Sequence, residues 1–566
     1  MKISLCALAA IAVLETTTTA EGACVASTNV AVKSAGKILR HPEVVPILWG
    51  NWHTTDVAAF EAKAVDLLDG PYTTRLREYS DASGLSVSAA KLAPTVDVNS
   101  RYAPQAMGGN PNWCTLNGAH AQGPNWVTSA DVQSMIVCEI INGYVPAPVL
   151  GVDTIYIVVY PPGFINSAHS GMGGQHQHFD AYNNERFYYA WVDNADITAF
   201  SHELAEAITD PDEDADLSPE VPNTSIPAGD DHEISDVCCG LEASAPWYSV
   251  AKYYSPLQRS CVANTRWSNV TQYAGSGKWI SSNRAARHLA AGGWGAAMVD
   301  ATSEHVFLMP GSVGGWVDTG PLPALGTITS YVAKLVVTDE AAYAVDANGF
   351  LWRATSPTSG WVWSGGPPLD DVFLFGGASP RGGTWGSSLG VGLVAVTNGH
   401  GLVRWTGTYQ ETPLGGPPSV SAVAVSNDGI YVIPSNRESV MYLANGSATW
   451  TTVLDYSPLY PIATVRELWG GIGNGVAFSF GFGSPLELVY YDPAGHLAYD
   501  QGAELWAHSL VGSPAAFGLF MLGTDGITYQ SSNLTATKPA RLSKGGSAQM
   551  MVGGGPTFGL NYSGSD

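Results

Sequence analysis

The sequence predicts two domains, an α+β domain followed by an all-β propeller of about six blades. Three observations predict this division. A helix with His and Glu at neighbouring positions begins near residue 200, every cysteine falls before residue 262, and a pattern rich in Gly and Trp repeats after residue 266. A chain of 566 residues is also too long for one hydrophobic core. We expect a signal peptide at 1–23, the α+β domain at 24–265 and the propeller at 266–566.

The N-terminus predicts export. Lys2 precedes an apolar run at 3–14, and small or polar residues follow as far as Ala23. This order is typical of a secretory signal peptide. No later run is long and apolar enough to span a membrane, and a net charge of −24 argues against nucleic acid as a partner. The sequence therefore predicts a secreted, extracellular protein without a membrane span.

Six cysteines remain after removal of the predicted signal peptide. An even number in an exported domain favours three disulfide bonds. Thiolate ligation of a metal is the alternative, although no Cys-x-x-Cys spacing supports it. The pairing stays open, except that two adjacent cysteines do not readily pair with each other. The six are Cys24, Cys114, Cys138, Cys238, Cys239 and Cys261.

Strands and helices alternate through the first domain. The segment 153–160 is rich in β-branched and aromatic residues, which is typical of a buried strand. Apolar residues at helical spacing predict the helices. Predicted strands are 41–52, 153–160 and 186–192, and predicted helices are 56–79, 130–144 and the segment from 200.

The helix that begins at Phe200 carries the candidate site. An apolar stripe follows one side of it, and the Asp-Pro pair at 210–211 ends it. His202 and Glu206 are four residues apart and project from the same side, with Glu203 next to them. An imidazole and a carboxylate one turn apart can be two metal ligands, and a neighbouring carboxylate can be a general base. An amphipathic helix with a solvated acidic side is the alternative.

Acidic residues surround this helix. The segment 193–236 contains fourteen Asp or Glu residues and no Lys or Arg. A folded domain tolerates such repulsion more easily when a cation lies among the carboxylates, so a bound metal is predicted. Alternating Asp residues from Asp210 onwards could form a separate Ca²⁺ site, and a solvated acidic loop is the alternative.

The first domain resembles two groups of proteins. Its order of strand, His-rich loop, strand and His-Glu helix is similar to that of zincin metallopeptidases. Residues 41–265 also resemble a secreted family related to the plant Exordium (phosphate-induced) proteins. This second resemblance rests on Ser-His-Glu-Leu-Ala-Glu-Ala-Ile-Thr-Asp-Pro at 201–211, Glu-Ile-Ser-Asp-Val-Cys at 233–238, and Tyr-Tyr-Ser at 253–255 followed by Cys261. It covers less than half of the chain and implies a zincin-like fold and an extracellular location.

The likeness to gluzincin peptidases implies a zinc site that hydrolyses a protein or peptide substrate. It implies His202, Glu206 and Glu233 as metal ligands. Asp236, three residues after the last of these, would orient His202. Glu203 would be the general base that takes a proton from the attacking water.

One departure from that pattern concerns Glu206, which stands where gluzincins have a second histidine. An anionic ligand weakens the metal as a Lewis acid and favours harder cations, so Ca²⁺ or another divalent cation is expected instead of Zn²⁺ or beside it. His176 and His178 alternate in the preceding segment and could supply or replace a ligand. Surface or packing histidines are the alternative for both.

Related segments recur in the second half. Two strands with a Gly, Asn or Asp turn between them occur at 336–352, 394–405 and 424–432, at a mean step of about 44 residues, which is typical of a β-propeller. The Asn-Gly-x-Leu-Trp and Leu-Gly-Gly elements resemble those of tectonin and related propeller lectins. That resemblance implies a glycan or cell-surface ligand whose sugar rings stack on aromatic side chains, although the same side chains could instead pack between blades. The candidates are Trp352, Trp361 and Trp405.

Two functions are consistent with these patterns. The first is a secreted metal-dependent hydrolase, peptidase-like, whose propeller binds glycans or another surface. The second is a non-enzymatic extracellular binding protein with a structural metal in a degenerate zincin domain. Glu203 discriminates between them, because an enzyme needs this carboxylate beside the metal in an open cleft and without a cation as partner.

Overall fold

The fold is described from a computed structural model, which covers the chain in several stretches. The described residues are 31–32, most of 37–97, most of 126–212, 219–220, 233–238, most of 241–365, and from there to 561 mainly the strands. The predicted signal peptide lies outside them, as do Cys24, Cys114 and Cys239. Among the described helices, none is both long and apolar enough to cross a membrane.

The first domain is built on a six-stranded mixed sheet. Its strands are β1 (Pro42–Leu48), β2 (Lys91–Leu92), β3 (Val96–Asp97), β4 (Asp153–Val159), β5 (Gly174–Ala181) and β6 (Glu185–Val192). The order is β2-β1-β4-β6-β5, with β3 also paired to β1. All pairs are parallel except β5 with β6, so β5 is an antiparallel edge strand. Strand β4 lies at the centre and is apolar on both faces, as parallel strands between helices are.

Helices cover both faces of this sheet. The helices are α1 (Thr54–Asp69), α2 (Ser129–Ile141) and α3 (Ile197–Thr209), with a short helix at Pro71–Thr74 and 3₁₀ turns at Arg75–Glu78 and Asp236–Cys238. Alternate residues of β4 point to opposite faces. Ile155 and Ile157 pack with α1 and α3, whereas Tyr156 and Val158 pack with α2. The sheet therefore separates two cores, and α3 lies beside α1 on one of them.

Short strand pairs complete the first domain. Ala31–Val32 pairs with Pro219–Glu220, Trp126–Val127 with Ile165–Asn166, Glu242–Ser244 with Ser249–Ala251, and Tyr253–Ser255 with Ser260–Val262. A disulfide bond joins Cys238 to Cys261 and ties the 3₁₀ turn at Asp236–Cys238 to the last of these strands. The predicted disulfide bonding is confirmed for this pair, and Cys138 is disulfide-bonded as well.

The second half of the chain is a β-propeller. The part that the structure describes contains seven four-stranded antiparallel sheets. Their strands, by blade, are Ala286–Gly292, Gly295–Asp300, Val306–Pro310 and Val317–Asp318 (blade 1); Val332–Val337, Ala342–Asp346, Leu351–Ala354 and Val362–Trp363 (blade 2); Leu374–Gly376, Leu393–Val396, Leu402–Trp405 and Glu411–Pro413 (blade 3); Val420–Val425, Gly429–Pro434, Ser439–Ala444 and Trp450–Asp455 (blade 4); Thr464–Ile472, Gly475–Gly481, Glu487–Tyr491 and Leu497–Ala498 (blade 5); Ala507–Gly512, Leu519–Gly523, Thr528–Ser531 and Ala540–Arg541 (blade 6); and Met550–Val552, Phe558–Asn561, Asn269–Tyr273 and Trp279–Ser281 (blade 7).

The blades form a closed ring. The first strand of each blade contacts the first strand of the next, and Met550–Val552 of blade 7 contacts Ala286–Gly292 of blade 1. Blade 7 takes two strands from each end of the propeller segment, because Asn269–Tyr273 pairs with Phe558–Asn561. The expectation of about six blades was therefore wrong by one. A blade divided between two distant segments has no complete copy of the repeat along the chain.

The two domains contact each other through α1. Ala62 and Val65 of this helix pack against Ala333, Val336 and Tyr343 of blade 2. This contact is apolar and buried. It fixes α1, which supports the sheet of the first domain, against the propeller.

A buried charge cluster lies beside this apolar contact. Asp66 of α1 accepts hydrogen bonds from Arg287 Nη1 at 2.5 Å and from the Tyr248 hydroxyl at 2.6 Å, and it also contacts His288. Arg287 Nη2 donates to Glu304 Oε2 at 2.7 Å. Asp66, Arg287 and His288 are each at most 5 % exposed. We call these five residues the interdomain cluster.

Candidate metal site

Helix α3 presents its polar residues beside the edge strand of the sheet. It begins after Asp196, whose Oδ1 accepts the backbone N–H of Thr198 at 2.8 Å and so caps the helix. It ends at Thr209, because the next residue, Asp210, leaves the helical conformation (φ −140°, ψ 62°) before Pro211. The apolar stripe of the helix is buried in the core shared with α1. The site residues therefore lie on the side that faces β5 and the 3₁₀ turn.

Glu206 is the centre of the site and is 1 % exposed. Its Oε1 accepts backbone N–H groups of Ser235 and Asp236, both at 3.2 Å. Its Oε2 lies 3.2 Å from His202 Nε2 and 3.8 Å from His176 Nδ1. This carboxylate is therefore held by the 3₁₀ turn and approached by imidazoles from two different elements.

His176 enters the site from strand β5. It is 4 % exposed, and its Nε2 lies 3.3 Å from Glu233 Oε1 and 3.2 Å from the Asp210 backbone oxygen. Its Nδ1 lies 3.7 Å from Glu203 Oε2. His176, Glu206 and Glu233 each offer a ligand atom, and these atoms lie within 4.8 Å of one another. The sequence predicted His176 only as an additional or replacement ligand, whereas the structure places it among the buried carboxylates.

His202 lies on the solvent side of the same site. Its Nε2 is 3.2 Å from Asp236 Oδ1, and the two side chains are 22 % and 49 % exposed. Together with Glu203 and Glu206, His202 forms a second group of potential ligands within 4.8 Å. The predicted trio of His202, Glu206 and Glu233 is not brought together as one such group among the described residues; Glu206 belongs to both groups that are. We call His176, His202, Glu203, Glu206, Glu233 and Asp236 the acidic cluster.

Glu203 is covered by the first residue of β5. A Cβ atom added to Gly174 would lie 2.7 Å from both Cγ and Oε1 of Glu203, closer than real Cβ contacts. Glycine at this position therefore leaves the space that the carboxylate occupies, and Glu203 is 6 % exposed. Burial raises the pKa of Glu203, and repulsion by Glu206 adds to this. The sequence contained no signal for Gly174, because the contact depends on the packing of α3 against β5.

The other titratable residues of the cluster shift the pKa values of one another. Burial opposes charge on His202, but the neighbouring carboxylates, Glu206 first, raise its pKa to about 12. Burial opposes charge on His176 too, and Glu233 helps to raise its pKa to about 10. Burial and repulsion by Glu206 raise the pKa of Glu233 to about 10, whereas Glu206, despite its burial, has a lowered pKa because of His202. Without a metal, the cluster therefore retains protons that a cation would displace.

The donor set fits a divalent cation. Imidazole nitrogens and carboxylate oxygens suit Zn²⁺, and the excess of carboxylates also suits Ca²⁺ or Mn²⁺. All the ion pairs described within the cluster join histidine to carboxylate, and none involves Lys or Arg. Four carboxylates thus lie beside two imidazoles. Because the carboxylates outnumber the imidazoles, the cluster can accommodate the positive charge of a bound cation.

His178 and Asp210, two further predicted ligands, do not contribute side-chain ligand atoms to either group among the described residues. His178 lies two residues beyond His176 on β5 and belongs to neither group of potential ligands among the described residues. Asp210 reaches the site with its backbone carbonyl, which contacts His176. Asp214 and Asp216, the later members of the alternating acidic series, lie outside the described residues.

The predicted glycan-stacking tryptophans require a correction. Trp352 is 3 % exposed and donates its Nε1–H to Asp346 Oδ2 at 2.9 Å, and Trp361 is 7 % exposed and donates to Thr319 Oγ1 at 3.1 Å. Both pack in the core between blades 1 and 2, so their faces are not available to a sugar. Trp405 lies in the third strand of blade 3, and its side chain is outside the described residues.

Comparisons with known proteins found similar solved structures, among them β-propellers. No protein-family model and no curated protein matches the sequence. Among solved structures, human WBSCR16 matches with 11 % identity over 52 % of this chain and 98 % of that chain, with a TM-score of 0.38. YCF48 from Cyanidioschyzon merolae matches with 12 % identity over 52 % and 96 % (TM-score 0.31), and Prp20p from Saccharomyces cerevisiae with 12 % over 49 % and 82 % (TM-score 0.32). The resemblances to zincins, Exordium proteins and tectonins stay predictions.

Proposed function

We propose that the protein is a secreted, divalent-metal-dependent hydrolase of the peptidase type, with Zn²⁺ as the first candidate metal and Ca²⁺ or another divalent cation as the alternative. The observation that carries this proposal is the acidic cluster, in which carboxylates from helix α3 and from the segment 233–236 surround two imidazoles without a Lys or Arg side chain. Buried charges persist only when they are paired or bind a metal.

Three residues of the acidic cluster are the proposed metal ligands, and backbone N–H groups hold one of them in place. His176, Glu206 and Glu233 would hold the metal, because their donor atoms converge and all three are buried. When bound, a divalent cation supplies a Lewis acid that polarises a carbonyl and lowers the pKa of water. The N–H groups at Ser235 and Asp236 keep one oxygen of Glu206 fixed, so its other oxygen is the one free to face a metal.

The remaining residues of the cluster would transfer protons and stabilise the negative charge that develops during the reaction. Glu203 can accept a proton at its carboxylate and return it to a leaving amine, as a general base and then a general acid. His202 lies at the exposed side, where its imidazole can donate a hydrogen bond to the oxygen on which negative charge develops. Asp236, at 3.2 Å from His202 Nε2, keeps that imidazole oriented and protonated.

An extended peptide is the substrate class that suits the position of the site. Strand β5 is the edge of the sheet, and an edge strand can pair with an added extended chain through its backbone N–H and C=O groups. His176 lies on this strand, so a peptide paired with β5 would pass beside the cluster.

A second function is favoured by a specific observation. Glu203 is buried beneath Gly174 and lies 3.7 Å from a histidine, which is the environment expected of a structural carboxylate. In that case the metal stabilises a non-enzymatic extracellular binding protein. In both cases we propose that the propeller binds a glycan or another surface component.

Elemental analysis of the purified, chelator-treated and reconstituted full chain tests the proposal. Wild type is compared with Glu206→Gln, which keeps the shape of the side chain, and with Glu242→Gln, an exposed glutamate outside the cluster as control. We expect one equivalent of metal in wild type and control, and none in Glu206→Gln. Peptide cleavage that Glu203→Gln abolishes without loss of metal supports the hydrolase, whereas metal without cleavage of any peptide supports the binding protein. Equal metal contents in all variants would overturn both.

A further inference from the structure

A cleft of about 640 Å³ lies where the first domain meets blade 1. Ligand pockets of about 300–1,000 Å³ occur preferentially at such domain interfaces. Residues of the acidic cluster do not line this cleft, so it is a separate feature. Its lining includes the segments 244–246 and 263–266 of the first domain and Arg287, Thr302, Glu304 and Tyr331 of the propeller.

Asn264 is the most informative residue of the lining. It is 3 % exposed, yet neither its Oδ1 nor its Nδ2 has a hydrogen-bond partner in the part of the chain that the structure describes. Buried amide groups are nearly always paired, because an unpaired one loses its bonds to water without replacement. Satisfying both atoms takes a rotation of this side chain towards the cleft that it lines and a ligand that accepts one hydrogen bond and donates another.

The charges of the cleft indicate a neutral ligand. Arg287 lines the cleft and is already bound to Glu304, with Nη2 and Oε2 2.7 Å apart, and to Asp66. Arg266, the other cation of the lining, also has an interaction partner. An ionic ligand would have to compete with these buried pairs. Hydroxyl groups of Thr265 and Thr302 add further donors and acceptors. The cleft therefore matches a ligand that has many hydroxyl groups and no net charge.

The apolar part of the lining consists of five residues, and one of them is aromatic. It consists of alanines, one proline and the ring of Tyr331, which stacks on Trp247 with centroids 6.5 Å apart and planes 8° apart. The lining contains no large aliphatic side chain of the kind that forms a pocket for an apolar side chain of a peptide. A sugar ring, with a weakly apolar face and hydroxyl groups that both donate and accept, fits a flat aromatic surface edged by polar groups.

We propose that this cleft is a saccharide-binding site, with Asn264 forming the paired donor and acceptor contact and Tyr331 lying against the sugar ring. The inference rests on the proposed glycan-binding role and places that role at the domain interface rather than at the tryptophans between blades. It does not depend on the acidic cluster. A bound saccharide would contact both domains at once.

The test uses the full chain and an array of immobilised saccharides that end in glucose, N-acetylglucosamine, galactose, mannose or fucose. Thr302→Trp fills the cleft, and Asn264→Leu removes the amide. Thr449→Trp is the matched control, because Thr302 and Thr449 both lie in exposed turns whose backbone N–H is held by a side-chain oxygen. We expect wild type and control to bind the same saccharide. Both cleft variants should lose about tenfold or more in affinity, with unchanged midpoints of unfolding.

Saccharide binding should not depend on the metal site. Chelator-treated wild type should therefore bind the saccharide as well as untreated protein does. Equal saccharide binding by the cleft variants and wild type would overturn the proposal that the cleft is the binding site. The proposed glycan-binding role would then belong to another surface of the propeller. Binding of extended peptides in place of all saccharides would overturn the ligand class. Absence of any saccharide binding by wild type would overturn both the cleft proposal and the glycan-binding role.

Discussion

Two buried charged clusters in this protein differ in the balance of their charges. In the interdomain cluster, two carboxylates face one guanidinium and one imidazole. In the acidic cluster, four carboxylates face two imidazoles. Both clusters join elements that are distant in sequence, and both lie largely out of contact with water.

This difference in charge balance distinguishes the interdomain cluster, whose ion pairs stabilise the fold, from the acidic cluster, which is suited to bind a cation. Asp66 has a lowered pKa, because Arg287 and His288 outweigh the effect of its burial. Glu233 has a raised pKa, because burial disfavours its charge and repulsion by Glu206 adds to this effect. Burial alone therefore does not identify a metal site. The identifying property is an excess of carboxylates that, in the metal-free protein, retained protons balance instead of Lys or Arg side chains.

Asp66→Ala should have the largest effect on stability. It leaves Arg287 and His288 buried with one carboxylate fewer, and loss of one partner of a buried ion pair costs about 3–5 kcal/mol. Denaturant unfolding at pH 7 measures this change. The control is Asp318→Ala, which removes an exposed pair with His305 of blade 1 and should cost at most about 1 kcal/mol. Equal effects of the two substitutions would contradict a structural role for the interdomain cluster.

The two clusters should respond to pH in opposite directions. In metal-free protein, Glu233 and His176 have pKa values of about 10 instead of 4.5 and 6.5, so the folded state binds more protons between these values. Stability should therefore fall as pH rises from 4.5 to 10. The pKa of Asp66 is lowered instead, so its contribution is present above pH 3.8 and is lost as pH falls further.

A saturating metal should remove the alkaline part of this dependence, because it replaces the protons of the acidic cluster. At a metal concentration 100 times the Kd, the added stability is about 2.7 kcal/mol. Unfolding at pH 5, 7 and 9, with and without metal, measures both effects. Metal-free protein that becomes more stable between pH 5 and pH 9 would show that the cluster does not retain protons.

Gly174→Ala should have a smaller effect on stability and a specific effect on the acidic cluster. The new Cβ atom would lie 2.7 Å from Glu203, so the carboxylate or the edge strand has to move. Overpacking of this kind costs about 1–3 kcal/mol. Peptide cleavage, or metal affinity if the protein is not an enzyme, should decrease as well. Gly315→Ala is a suitable control, because an added Cβ there meets nothing within 4 Å. Unchanged cleavage and metal affinity would show that the position of Glu203 is unimportant.

Asn264→Leu should have the smallest effect on stability, about 0.5 kcal/mol or less. The amide has no partner among the described residues, so its removal breaks no hydrogen bond there. Calorimetric unfolding of the variant beside wild type measures the change. A loss of about 2 kcal/mol would show that the amide stabilises the fold and is not reserved for a ligand.

Much of α3 could be predicted from its residues. The apolar stripe and the Asp-Pro pair at 210–211 predict a helix of the observed type, and the helix ends at Thr209. The same spacing places His202 and Glu206 one turn apart. His176 was harder to place, because its position depends on the edge strand β5, which is antiparallel to β6, and on the close contact between Gly174 and Glu203 of α3.

The sequence by itself determined those features that depend on neighbouring residues. These are the helix with its His and Glu positions, the buried strand β4 and the repeating strands of the propeller, because local spacing decides which side of a helix or strand is apolar. Only the tertiary structure decided the contacts between distant segments. His176 joined Glu206 and Glu233, blade 7 was assembled from both ends of the propeller, and Trp352 was buried between blades. Such contacts depend on strand order and packing, for which spacing along one chain contains no signal.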